Sequence, residues 1–118
     1  MRADPADQPP PLWRQLNAVA MILAAICAGR SGTAALDGVE AGLRPGVQAL
    51  VFHVLRWLGR AQALRQQLAR RTPPPLADAL LCTALALAWR DEGAPYDAFT
   101  LVDQAVEAAK RHPDTRQQ

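Results

Sequence analysis

Arginine is the residue type on which most of the chemistry in this chain would have to rest. Arg56 and Arg60 stand one helical turn apart, and Arg70 and Arg71 sit side by side just ahead of Pro73-Pro74-Pro75. The planar guanidinium fork can grip phosphate oxygens in pairs, so several arginines on one face form a backbone-binding strip. From Arg44 to Pro75 there is no Asp or Glu to offset them. Lys110 and Arg111 add two cations near the end of the chain. A solvated helix face accounts for the same residues, because phosphate binding requires several of them to converge in space.

Other chemistry is sparse. Cys27 and Cys82 lie inside apolar helical runs and read as small buried hydrophobes of a reducing compartment. His53 and His112 are the only histidines, and no Cys-x-x-Cys pair is present, so the sequence offers no metal site. Gly29 and Gly32 are in the wrong context for a phosphate loop, and no His accompanies a nucleophile. Glu40, Glu92 and Glu107 are scattered and read as solvated surface acids. No catalytic set emerges. Trp13, Trp57 and Trp89 read as core anchors rather than base-stacking platforms, whereas Tyr96, in a loop, is expected to be exposed.

The elements that position these residues are helical. Half of the 118 residues are apolar, many of them Ala and Leu, with one Tyr and two Phe. Strong helix formers thus outnumber the β-branched and aromatic residues that favour sheet. The length suits one domain. The net charge of +2 is mild, so the placement of charge carries more information than its total.

Residues 1–11, rich in proline and polar groups, read as a disordered leader, 12–112 as the helical domain and 113–118 as a tail. A first helix from Leu12 to Gly29 carries Leu16, Val19, Ala20, Leu23, Ile26 and Cys27 at helical spacing. Its apolar run is too short to span a bilayer, and no membrane association is expected. A secretory signal is disfavoured by the prolines and by Asp4 and Asp7 ahead of it. Ser31 or Thr33 can cap a short, glycine-weakened second helix with Ala35, Leu36, Val39 and Leu43. The longest element is expected from Val47 to Arg71, with Val47, Leu50, Val51, Val54, Leu58, Ala61, Leu64 and Leu68 along one face. Its other face carries Gln48, Arg56, Arg60, Gln62 and Gln66, with Arg65, Arg70 and Arg71 toward the end. The proline run ends it. A fourth helix, Leu76 to Arg90, is apolar on nearly all sides, and a fifth starts at an Asp97 cap and runs to Arg111, with Phe99, Val102, Val106 and Ala109 as its apolar set. The reading is an all-α bundle of about five helices around the long central one.

This order of helices resembles the NusB-like RNA-binding domain, most closely the N-terminal domain of the Sun-type rRNA cytosine-5 methyltransferases. The resemblance rests on Gly29-x-Ser31, on Phe52-x-Val54-Leu55-Arg56, and on Ala94-Pro95 followed by Asp103-Gln104-Ala105-Val106-Glu107-x-Ala109-Lys110. It covers the chain from about Leu16 to Lys110. Family members often have Asn-Glu where Asp103-Gln104 stands here, and the methyltransferases often have His where Phe99 stands. The family continues into a further apolar helix of the form Phe-Val-Asn-x-Val-Leu-Arg, which this sequence lacks. The resemblance implies a non-catalytic, cytoplasmic domain that positions rRNA for an attached methyltransferase domain. Neither that domain nor its S-adenosylmethionine site is in this sequence, so no cofactor is expected here. The RNA contacts expected are Arg56, Arg60, Arg70, Arg71, Lys110 and Arg111. A groove left by the missing helix would be covered by a second copy of the chain. The alternative is a helical protein-interaction domain, as NusB-type folds can be toward a ribosomal protein.

Overall fold

The structure, a computed structural model, describes residues 10–88 and 97–111. Expectations placed on the leader before Pro10, on Trp89, Arg90, Glu92, Tyr96 and His112, and on the tail lie outside the described residues. The described residues form five helices: α1 (Leu12–Cys27), α2 (Gly32–Asp37), α3 (Arg44–Leu68), α4 (Pro75–Ala88) and α5 (Ala98–Arg111). The domain is all-α. No helix among the described residues is long and apolar enough to cross a membrane.

Local chemistry sets the helix ends. At the end of α1, Gly29 takes φ +88°, a conformation costly for residues with a Cβ. That lets Gly29 N–H donate to Ile26 O and Arg30 N–H to Ala25 O, both at 2.9 Å. The paired bonds close the helix as a Schellman motif. Ser31 caps α2, its Oγ accepting from Ala34 N at 3.3 Å. Asp97 caps α5, accepting from both the N–H and the hydroxyl of Thr100 at 2.9 Å. Those bonds, the backbone one foremost, hold the Asp97 carboxyl below its usual range. Pro45 occupies the first turn of α3, where its missing N–H costs nothing. The Arg44 guanidinium donates to Asp37 O (3.3 Å) and Val39 O (2.9 Å), fastening the turn from α2. At its other end α3 stops at Leu68 rather than Arg71, with Ala69 extended (φ −134°). The chain must leave the helix early to turn back through the proline run and begin α4.

Packing places α1 and α4 in the middle. α1 touches all four other helices, and α4 touches α1, α3 and α5, whereas α3 and α5 do not meet. α3 likewise touches three helices, α1, α2 and α4, so the one helix that meets every other is α1 and not the longest. α3 runs alongside α1 in the same direction: Gly46 approaches Gln15 at one end, and Leu58 and Gln62 share a cavity with Leu23 and Cys27 at the other. α5 also runs parallel to α1 on the opposite flank. There the N–H of Trp13, in the first turn of α1, donates to Gln104 Oε1 (3.0 Å), and Asn17 Nδ2 donates to Ala108 O (3.1 Å). The first contact satisfies a donor with no partner inside its own helix. The core joins Leu16, Val19, Val47, Val54, Leu87 and Leu101, all nearly inaccessible to solvent, and Thr83 is buried among them because its hydroxyl donates to Ala79 O at 2.7 Å.

Three further expectations are corrected. Phe99, Val102 and Val106 are exposed, and α5 buries Leu101 and Ala108 instead, the side on which Gln104 Oε1 and Ala108 O accept from Trp13 and Asn17 of α1. Leu68, expected in the core stripe, is exposed at the final turn of α3. Cys27 ends α1 and is exposed, whereas Cys82 is buried.

Candidate nucleic-acid interface

The outward face of α3 is built by the helix's own periodicity. Val47, Leu50, Val54 and Ala61 turn toward α1 and α4, which leaves Phe52, Arg56, Gly59, Arg60, Ala63 and Gln67 on the opposite, exposed side. Phe52 and Arg56 are one turn apart, as are Arg56 and Arg60. The Arg60 guanidinium lies 5.3 Å from the centre of the Trp57 ring, a cation–π contact over a half-buried indole. A Cβ added at Gly59 would meet nothing within 4 Å, so a ligand can approach the backbone there. No carboxylate belongs to this helix.

Arg65 does not belong to that face, contrary to the sequence reading. It is 9% exposed, with Nε 2.9 Å from Asp78 Oδ1 on α4. This ion pair ties α3 to α4 near the proline turn. Asp78 also faces the Cys82 Sγ at 3.7 Å. Burial first, and the Asp78 charge second, push the Cys82 thiol up to about 11, so it is neutral and unreactive at pH 7.

The six cations expected to bind RNA fall into separate groups. Arg56 and Arg60 share the middle of α3, and Arg70 and Arg71 are exposed in the segment just after it, about 18 Å of helix axis separating Arg56 from Leu68. Lys110 and Arg111 end α5, on the far side of the α1–α4 pair. Arg111 is moreover engaged, its Nε 2.7 Å from Glu107 Oε1 and its guanidinium 4.8 Å from the centre of the Trp13 ring. Arg70 and Arg71 are exposed beyond the end of the α3 face, and the α5 pair cannot join that face in one strip. Among the acids, Glu40 pairs with Arg14 (2.6 Å) and Glu107 with Arg111, both at the surface.

Phe52 is the residue that sequence reasoning missed. It is 64% exposed, one turn before Arg56, and only its place on the polar side of the α3 wheel could have flagged it. Among the described residues, two cavities flank α3. One, of about 290 Å³, lies between α1, α3 and α4 and is lined by both cysteines, Leu58 and Asp78. The other, of about 220 Å³, lies between α1, α2 and α3 and opens at Phe52. Among the described residues no three metal-ligating side chains converge. Comparison of the chain with protein-family models, with curated proteins and with solved structures gives no match.

Proposed function

We propose that this chain is a non-catalytic RNA-binding domain that holds a single-stranded or loop segment of RNA along the outer face of α3. The observation that carries this reading is the exposed run Phe52, Arg56 and Arg60 on a helix with no carboxylate, continued by Arg70 and Arg71. Arginines on one face meet phosphates in sequence-independent fashion, and an exposed aromatic among them adds a stacking surface. Lys110 and Arg111 form a second, separate contact on the α5 flank. The resemblance to NusB-like domains supplies the rest of the proposal: the RNA is ribosomal, the setting is cytoplasmic, and the domain positions its RNA for an attached S-adenosylmethionine-dependent cytosine-5 methyltransferase domain.

One observation favours a second reading, a protein-interaction domain that also pairs with itself. Phe99, Val102 and Val106 form an exposed apolar stripe on α5, respectively 83, 63 and 49% accessible. Salt separates the two. Phosphate contacts weaken steeply as salt rises, whereas an apolar stripe covered by a protein responds little. Binding of a single-stranded oligoribonucleotide that falls with salt and with Arg56→Ala/Arg60→Ala supports the RNA reading. Salt-independent self-association lost in Val102→Asp supports the other.

A further inference from the structure

We propose that the cavity between α1, α2 and α3 seats one unpaired nucleobase, stacked against Phe52, while the phosphates of the same strand lie on Arg56 and Arg60. This deepens the RNA-binding reading and rests on it. The cavity's space of about 220 Å³ is enough for one base. Its walls are Ile22, Ile26, Leu36, Val51 and Leu55, apolar side chains suited to the faces of a ring. Polar groups occur at the rim: Gln48 and Thr33 line the cavity and are exposed, and an amide with a hydroxyl can read the donors and acceptors of a base edge. Phe52, at the mouth, presents most of its ring to solvent.

Charge selects the occupant. Arg56 follows Phe52 by one turn, and α3 carries no acid, so a chain with a phosphate at every step is attracted along this side. The strand therefore runs along α3 with a base turned inward, the arrangement by which unpaired RNA is read. An apolar side chain of a protein would fit the walls but would gain nothing from the arginines.

The test compares a short fluorescein-labelled oligouridylate with an abasic ribose-phosphate oligomer of equal length, by anisotropy. Wild-type protein binds the base-bearing oligomer more tightly, and Phe52→Ala, at an exposed position, weakens it about five- to hundredfold while leaving abasic binding unchanged. Arg56→Ala/Arg60→Ala weakens both oligomers alike. Base-bearing binding that Phe52→Ala leaves intact, but that the arginine pair weakens, overturns the base site and spares the RNA-binding reading. Should neither oligomer bind, titration with uridine and adenosine monophosphates decides. Saturable shifts of the Thr33, Gln48 and Phe52 amide resonances support a base site even though the strand reading fails. Silence there, or shifts with N-acetyl-leucinamide alone, overturns it, the latter by showing that the groove takes a protein side chain.

Discussion

Replacing Asp78 by Ala leaves the Arg65 guanidinium buried without its counter-charge, and the cost can be worked from the geometry. The Arg65 side chain is 10% and the Asp78 side chain 25% accessible, with Nε and Oδ1 2.9 Å apart. Removing one partner of a fully buried pair costs about 3–5 kcal/mol, because the remaining charge has lost its water and gained nothing. Water reaches a quarter of Asp78, which lowers the expected loss to roughly 2–3 kcal/mol. A chain of 118 residues has an unfolding entropy of about 0.25 kcal/mol/K, so Tm should fall by about 10 °C. Arg65→Met should cost less, since an apolar side chain fits the same slot and Asp78 keeps its access to solvent. The double variant Arg65→Met/Asp78→Ala should be more stable than Asp78→Ala alone, with a coupling of at least ~1 kcal/mol. Thermal and urea unfolding followed by circular dichroism measure all three. A loss in Asp78→Ala below ~0.5 kcal/mol, or additivity in the double variant, would refute the claim that this pair joins α3 to α4.

Three further outcomes follow from the placement of side chains. Cys27 should react with iodoacetamide in the native protein at pH 8 while Cys82 stays protected until unfolding, a difference readable by mass after each labelling. Because the Cys82 pKa is raised from 9.0 to about 11, the folded state holds a proton there that the unfolded chain releases first. Its contribution is complete below pH 9 and declines between pH 9 and 11, by ~2–3 kcal/mol at most, and Cys82→Ala should flatten that limb of the stability profile. On α5, Leu101→Ala should cost about 2–4 kcal/mol, whereas Phe99→Ser and Val102→Ser should each stay within ~0.5 kcal/mol of wild type in urea unfolding. The reverse order would place the opposite face of α5 against α1 and α4.

The helices were legible in the sequence because their signals are local. Apolar spacing, the stop at Gly29, the caps Ser31 and Asp97 and the proline run all act within a few residues, and the structure uses each of them. What the spacing left open was how the helices rotate and which ones touch. α5 has two apolar faces, and the larger residues Phe99, Val102 and Val106 outweigh Leu101 and Ala108 in any count of hydrophobicity. The side turned inward is the one whose Gln104 Oε1 and Ala108 O accept from Trp13 and Asn17, and those donors belong to the partner helix. Arg65 looked like one more surface cation, although it lies one turn beyond Ala61 and continues the buried stripe. Its exposure was decided by Asp78, which is supplied by the next helix. The arginine-rich middle of the chain was equally plain as a composition. That it divides into an α3 face and a distant α5 pair depends on α1 and α4 standing between them, and no local pattern encodes that.

The salt dependence of RNA binding addresses the proposed interface most directly. For a single strand held by Arg56, Arg60, Arg70 and Arg71, the slope of log K against log salt should be near −2.8, at about −0.7 per neutralised phosphate. Arg56→Ala/Arg60→Ala should bring it to about −1.4 and weaken binding at every salt concentration, and Lys110→Ala, on the other flank, should change it by about 0.7 or less. A slope near zero in the wild type, or one that the Arg56/Arg60 pair leaves untouched, would contradict the assignment of the α3 face as the RNA-binding surface.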